Sequence, residues 1–172
     1  MGAASISFKF ADSPVGQLIL GGTDRGCCLI EFVDRGGLPK IKSEIRKRYK
    51  LDLEQRHSPL LDTVEKELTD YFSGSLRRFS FPMHLEGTEF ERAVWKQLLA
   101  IPYGETRTYG EIAALVRSPL AYQAVGRANG QNPLAIAVPC HRVLQKGGGM
   151  CGYGGGIWRK EYLLELENGA KH

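Results

Sequence analysis

The stretch TYGEIAALVRSPLAYQAVGRAN, residues 108–129, contains two helix-start signals in close succession. Thr108 and Glu111 have the spacing of a capping box, in which each side chain bonds a backbone N–H of the other residue. Ser118 followed by Pro119 has the pattern of an N-cap and a first helical residue. Two short helices joined by about three residues have the outline of a helix-turn-helix. The stretch therefore predicts that motif.

Further helices and one strand are predicted on either side of this motif. Thr88 and Glu91 form another capping box ahead of an apolar stripe at helical spacing. A glycine-rich loop, residues 147–156, precedes a leucine-rich final helix. The apolar run 134–138 lies between two prolines and predicts a short buried strand. The second half of the chain is thus mainly helical.

The first half shows the alternation of strands. Apolar residues alternate along residues 6–10, and runs 18–20 and 28–32 flank a turn rich in Gly and Asp, which predicts a hairpin. Residues 40–50 and 60–72 have apolar residues at helical spacing, which predicts amphipathic helices.

The segment before the second half is poor in apolar residues and contains Ser, Gly, Arg and Pro, which is typical of a linker. We predict an N-terminal α/β domain over residues 1–80, a linker over 81–87, and a C-terminal domain over 88–172. The fold class is therefore α/β (α+β).

Composition limits the class of protein. The chain has 42% hydrophobic and 24% charged residues, as in an ordinary soluble protein. It shows neither an apolar run of about 20 residues nor a secretory signal. We therefore expect no membrane association and a cytoplasmic location, or a nuclear one if the source is eukaryotic. The four cysteines are then expected as thiols, and their spacing does not indicate a metal site.

The formal net charge is +4. Most of the excess is in the second half, where residues 88–172 contain ten Lys and Arg against seven Asp and Glu. This balance suits a polyanionic partner without requiring one.

Cys140 and His141 are the candidate reactive pair. Cys140 follows the predicted strand at a proline, where the backbone is rigid, and glycine-rich sequence leaves room for a flat ligand. A thiol needs a base to become a nucleophilic thiolate, and an adjacent imidazole would act through a bridging water. Glu167 could orient that imidazole. The alternative is a buried structural cysteine beside a surface histidine.

The sequence AVPCHRV, residues 137–143, resembles the active-site signature of the O6-alkylguanine-DNA alkyltransferases, also called methylated-DNA–protein-cysteine methyltransferases. The likeness is dense over residues 87–167 and only general over the first 80 residues. Further motifs match the family in order and spacing: Gly87–Phe90, Val94-Trp95, Ile101–Thr106, Tyr109, Ala124–Gly126, Asn132-Pro133, Gly152-Tyr153, Gly155-Gly156, Lys160, Leu163-Leu164 and Glu167.

The resemblance implies a ribonuclease-H-like N-terminal domain with a small, mostly antiparallel sheet. It also implies DNA repair by a monomer that needs no cofactor. The alkyl group of O6-alkylguanine, in double-stranded or single-stranded DNA, would pass irreversibly to the protein, once per molecule. O4-alkylthymine is a possible further substrate.

The resemblance also implies the catalytic residues. Cys140 would accept the alkyl group, His141 would be its base through water, and Glu167 would orient the imidazole. Asn132 would hydrogen-bond around the supporting turn, or be a simple turn residue before a proline. Tyr109 would donate its hydroxyl to N3 of the flipped guanine, or be a core aromatic.

Other positions would contact the base. Backbone groups of Cys140 and Val143 would accept from its exocyclic amine, and the amide of Gly154 would donate to O6. Met150 and Tyr153 would form the pocket walls. Arg142 is open between a phosphate contact and a structural salt bridge.

The second helix of the motif would enter the minor groove of DNA, where small residues permit close approach. Gln123 stands where the family normally has an arginine that fills the gap left by the flipped base. Glutamine is shorter and uncharged, so efficient flipping in duplex DNA is in question. The predicted DNA-binding residues are Gln123, Ala124, Gly126, Arg127 and Ala128.

Two other classes of protein are alternatives to this interpretation. A DNA-binding module could recognise alkylated bases without repairing them, but such relatives lack the acceptor cysteine. A cysteine hydrolase could use Cys140 and His141, and it would turn over acyl substrates beyond one equivalent.

Overall fold

The structure is a computed structural model that describes residues 5–150 and 152–169. The chain divides into two compact units, the first ending at Glu86 and the second beginning at Gly87. None of the helices in these ranges is long and apolar enough to cross a membrane.

The first unit is built on a four-stranded sheet with the order β3-β2-β1-β4. Strands β1, β2 and β3 pair antiparallel, and β4 pairs parallel to β1. This confirms the predicted small, mostly antiparallel sheet and its hairpin. The strands are β1 (Ser5–Ala11), β2 (Leu18–Thr23), β3 (Gly26–Phe32) and β4 (Asp52–Gln55).

Two helices complete this unit, α1 (Gly37–Tyr49) and α2 (Pro59–Phe72), and both confirm the amphipathic helices predicted from spacing. Ile41 and Ile45 of α1 join one face of the sheet in a buried apolar cluster. Apolar area removed from water stabilises such a cluster by roughly 25 cal/mol per Å².

Residues at the start of the predicted linker 81–87 are hydrogen-bonded to β3 of the first unit through one isolated parallel bridge. Phe81 is buried. The N–H of Cys27 donates to the carbonyl of Pro82 at 2.8 Å, and the N–H of His84 donates to the carbonyl of Cys27 at 2.8 Å. This pairing runs alongside β3, so residues 81–84 are anchored by long-range backbone bonds that local composition does not reveal.

The second unit is mainly helical. Its two short strands pair parallel, and the Trp95 side chain is buried, with its indole N–H donating to the carbonyl of Ala128 at 2.9 Å. Both predicted capping boxes are present. The elements are α3 (Glu89–Leu99), β5 (Arg107–Thr108), α4 (Tyr109–Leu115), α5 (Tyr122–Gly130), a 3-10 helix (Cys140–Arg142), β6 (Val143–Leu144) and α6 (Ile157–Glu167).

Helices α4 and α5 form the predicted helix-turn-helix, but its second helix starts later than predicted. Ser118 and Pro119 are not the N-cap and first residue; α5 begins at Tyr122. The N–H of Ala121 donates to the carbonyl of Ser118 at 2.8 Å. Pro119 is thus the second residue of a β-turn, a position that its fixed φ suits equally well.

The predicted strand 134–138 is wrong: this buried segment is a turn. The N–H of Val138 donates to the carbonyl of Leu134 at 2.9 Å, and Ile136 has a φ of 73°. A short apolar run shows burial without distinguishing a strand from another buried conformation.

Candidate active site

Cys140 begins the 3-10 helix directly after Pro139, and the residue is 6% exposed. Its N–H donates to the carbonyl of Val138 at 2.8 Å. The side-chain amide of Asn129, on α5, donates to the carbonyl of Cys140 at 3.3 Å. The backbone of the cysteine is therefore held on both sides.

Asn129 is a residue that the sequence prediction missed. It is polar and buried, on the same face of α5 as Val125 and Ala128. A polar side chain inside an apolar helical stripe was the available signal, because buried polar groups are normally hydrogen-bonded.

His141 and Glu167 form a buried pair. The side chains are 0% and 1% exposed, and Nε2 of the imidazole lies 2.7 Å from Oε2 of the carboxylate. The 3-10 helix carries the histidine and the last turn of α6 carries the glutamate. Nδ1 of His141 has no hydrogen-bond partner within residues 5–150 and 152–169. The pair therefore leaves one imidazole nitrogen for chemistry.

Burial lowers the pKa of His141 below its ordinary value of 6.5, against the opposing effect of the Glu167 carboxylate. The positive charges of Arg142 and Lys160 act in the same direction as burial. The ring is thus neutral near pH 7. We assign its proton to Nε2, which donates to Glu167, so that Nδ1 carries a lone pair and can act as a base.

Glu167 remains ionised at the centre of this network. Burial alone raises the pKa of its carboxyl, but hydrogen bonds from His141 and Arg142, together with the positive charge of Arg142, outweigh burial and hold the pKa well below 4.5. Arg142 Nε donates to Oε1 at 2.7 Å and Arg142 Nη2 to Oε2 at 2.9 Å. Arg142 Nη1 donates to the carbonyl of Ile101 at 2.8 Å. Of its two predicted roles, Arg142 has the structural salt bridge.

Asn132 braces the turn before the cysteine. Its side-chain amide donates to the carbonyl of Val138 at 2.7 Å, and its side-chain oxygen accepts from the N–H of Leu134 at 2.9 Å. Both ends of the buried turn are thereby tied to one side chain.

Lys160 is fully buried, and its ammonium donates to the carbonyl of Val143 at 2.6 Å. The sequence prediction matched Lys160 to a motif but assigned it no role. Because a buried charge is costly unless it is hydrogen-bonded, this contact ties α6 firmly to the chain just after the cysteine.

Tyr109 is half-buried at the start of α4, between α5 and the glycine-rich loop. A Cβ added at Gly126 would lie 4.0 Å from Tyr109 Cε1, and one added at Gly152 would lie 3.9 Å from Tyr109 Oη. Two glycines therefore lie next to the Tyr109 side chain, and the space beside the ring is not filled by side chains at these two positions.

The predicted pocket walls lie in the glycine-rich loop. Tyr153 is half-buried, whereas Met150 and Gly154 are exposed. The N–H of Gly156 donates to the carbonyl of Tyr153 at 2.9 Å, which closes a turn around Gly154. Cys151 lies outside the described residues.

Helix α5 presents only some of its predicted DNA-binding residues. Gln123 and Arg127 are exposed, and Ala124 and Gly126 are half-buried. Ala128 is 3% exposed, and its backbone carbonyl accepts from the indole N–H of Trp95 on α3. Helical periodicity turns this side chain toward the core, and its contact with DNA stays a prediction.

The stretch 112–160 contains no Asp or Glu and six positive side chains. Arg142, Arg159 and Lys160 are buried, and the rest are at least partly exposed. A stretch of chain with exposed cations and without carboxylates favours a polyanionic partner. The cations are Arg117, Arg127, Arg142, Lys146, Arg159 and Lys160.

A cysteine beside a buried imidazole–carboxylate pair, in a domain with a helix-turn-helix, defines a class of protein that combines a thiol nucleophile with a DNA-binding motif. Residues 6–85 match the family described as "6-O-methylguanine DNA methyltransferase, ribonuclease-like domain", and residues 89–169 match its "DNA binding domain". The chain belongs to the methylated-DNA–protein-cysteine methyltransferase family.

Individual relatives agree with this assignment. A methylated-DNA–protein-cysteine methyltransferase of Mycolicibacterium paratuberculosis is 43% identical over 94% of this chain and 92% of its own. One of Methanosarcina barkeri is 40% identical over 93% and 96%. The crystal structure of Mycobacterium tuberculosis OGT in complex with DNA is similar with a TM-score of 0.81 and 41% identity, covering 95% of this chain and 93% of that one.

Proposed function

We propose that this protein repairs alkylated DNA by moving the alkyl group from O6 of guanine irreversibly onto Sγ of Cys140. The observation that carries the proposal is the buried His141–Glu167 pair beside a cysteine, in a member of this family. Such a pair supplies a base for the thiol and a counter-charge for the imidazolium that forms.

The proposed step begins with proton transfer from the Cys140 thiol to Nδ1 of His141 through one water. The thiolate then attacks the alkyl carbon, forming the C–S bond as the bond from that carbon to O6 breaks. Guanine leaves with the electron pair, and the Tyr109 hydroxyl donates a hydrogen bond to N3 to stabilise its charge. The thioether does not revert, so each molecule reacts once.

Recognition of guanine would use the backbone around the cysteine. We assign acceptance from the exocyclic amine to the carbonyls of Cys140 and Val143, and donation to O6 to the amide of Gly154. Met150 and Tyr153 would cover the base. The hydrogen bonds from Asn129 to the Cys140 carbonyl and from Lys160 to the Val143 carbonyl support this assignment, because they orient the two carbonyls. Asn129 and Lys160 are therefore positioning residues.

The proposed partner is DNA that carries O6-alkylguanine, double-stranded or single-stranded, with O4-alkylthymine as a further candidate lesion. The second unit would both bind DNA and accept the alkyl group, and the protein would act as a monomer in the cytoplasm. The absence of carboxylates over residues 112–160 supports DNA as the partner.

Intact-protein and peptide mass spectrometry after incubation with O6-methylguanine DNA tests the proposal. We expect one methyl group, on the Cys140 peptide, and none after Cys140→Ala. Burial raises the pKa of the Cys27 thiol to about 12 and raises that of Cys28 as well, so neither forms a thiolate near pH 7. Binding of the lesion without methyl transfer would indicate a recognition module. Turnover of acyl substrates beyond one equivalent would indicate a hydrolase.

A further inference from the structure

Two large apolar side chains are exposed to solvent at the corner of the helix-turn-helix, where the turn meets α5. Leu120 is 89% exposed and Tyr122, the first residue of α5, is 54% exposed. Single exposed apolar residues are common, but here two lie two positions apart at the entry of one helix. The corner is therefore both apolar and prominent.

The rest of this helix face is flat. Gly126 and Gly130 follow Tyr122 at four-residue spacing, so they lie on the same side of α5. A Cβ added at Gly130 would meet nothing within 4 Å. Tyr122 therefore projects at the end of a strip without side chains, along which a nucleic-acid backbone can approach closely. Arg127 is exposed on the neighbouring row.

The projecting ring is also close to the proposed base pocket. Gly126 lies beside Tyr109, and Tyr122 is one helical turn earlier, about 6 Å along the helix axis. A group at Tyr122 can thus reach the base stack from which a nucleotide in the pocket has been removed.

The charge at this corner fits the same partner. Arg117 and Arg127 are exposed before and within α5, and no carboxylate occurs from residue 112 to residue 160. An apolar ring with an exposed cation before it and another after it in the chain suits a duplex, in which stacked bases lie between two rows of phosphates.

We propose that Tyr122 is a wedge that enters the duplex and stacks in the gap left by the extruded nucleotide, with Leu120 as its apolar flank. The proposal rests on the proposed function. Extrusion unstacks the neighbouring bases, and an aromatic ring can replace the lost stacking. Gln123, the adjacent exposed residue, offers an amide without a ring or charge. Tyr122 therefore offers the contact that the amide lacks.

The rate of single-turnover alkyl transfer to the full chain tests the wedge. Three substrates are compared: duplex DNA with O6-methylguanine, the same strand alone, and free O6-benzylguanine. We expect Tyr122→Ala to slow transfer from the duplex by about 5- to 150-fold, the range of one base–aromatic stack. Transfer from the single strand should fall less, and transfer from the free base should not change. Leu120→Ala should slow the duplex reaction in the same selective way.

Two variants serve as controls. Tyr122→Phe should keep the duplex rate, because the ring and not the hydroxyl makes the stack. Leu99→Ala, which truncates another exposed apolar residue of the second unit, should change no rate. An equal loss on all three substrates, or no loss on the duplex, overturns the wedge. Wild-type protein that transfers nothing from any substrate overturns the proposed function itself.

Discussion

Nε2 of His141 lies 2.7 Å from Oε2 of Glu167, with both side chains buried. This single contact fixes which imidazole nitrogen holds the proton, since the carboxylate accepts from Nε2–H and leaves Nδ1 as the base. It also sets an anion beside the ring, where it stabilises the imidazolium that forms when the thiol is deprotonated. The contact makes the pair the main determinant of thiol activation.

Replacement of either partner should slow alkyl transfer strongly. We expect His141→Ala and Glu167→Gln each to reduce the single-turnover rate by about 10²–10⁴-fold, the usual value of general-base help. The double variant should lose little more than the worse single variant, because the residues act as a unit. Rapid-quench measurement on O6-methylguanine DNA decides this. A double variant that shows the full product of both losses would mean that Glu167 supports only the fold.

Stability should decrease with acid in two steps. Below 6.5, the ordinary pKa of a histidine, the unfolded chain binds a proton that folded His141, with its lowered pKa, does not. The free energy of unfolding therefore decreases as the pH is lowered below 6.5, until the pH passes the pKa of His141 in the folded protein. Glu167, whose folded pKa is also lowered, adds a second loss below 4.5.

Urea unfolding from pH 7.5 to pH 4.5 measures the first step. His141→Asn should flatten the curve in that range. An unchanged slope in His141→Asn would contradict the lowered pKa.

Arg142→Ala should be strongly destabilising. Removal of the guanidinium leaves the buried Glu167 carboxylate poorly compensated, and breaking a buried pair costs about 3–5 kcal/mol. Arg107→Ala is the matched control in the same unit, because the Arg107 side chain is 35% exposed in its pair with Glu105. Exposed pairs contribute about 0–1 kcal/mol. Urea unfolding measures the loss of stability in each variant. Equal losses would show that burial of the Arg142–Glu167 pair does not increase its contribution to stability.

Gln123→Arg should speed repair of duplex DNA several-fold and hardly change the reaction with free O6-benzylguanine. Flipping costs a few kcal/mol in a duplex but nothing for a free base, and a guanidinium can bond the acceptors around the gap. The wild-type protein should accordingly prefer single-stranded or free-base substrates more than its relatives do. Paired single-turnover rates measure this. An equal change on both substrates would place residue 123 in the pocket.

The gain from Gln123→Arg should be larger when Tyr122→Ala is also present, because the arginine then supplies the only group that fills the gap. The four duplex rates of this double-mutant cycle measure the coupling. Strict additivity would show that the two positions serve different steps.

Local sequence was sufficient wherever a signal and its target lie within a few residues. The capping boxes at Thr88 and Thr108 specify two helix starts, because donor and acceptor are three residues apart. Alternation and four-residue spacing predicted the hairpin and both N-terminal helices. The motif around Cys140 identified the family and named the residues that now stand as its proposed catalytic set.

Tertiary structure decided what depends on distant partners. The apolar run 134–138 predicted a strand, but this segment is a turn, which has a positive φ at Ile136 and is held by the hydrogen bonds of Asn132. Pro119 suited a helix start, yet it lies in a β-turn, since proline favours both positions. The bond from Lys160 to Val143 joins residues seventeen positions apart. Sequence spacing alone cannot specify such contacts, because only packing of the whole unit determines which buried polar groups meet.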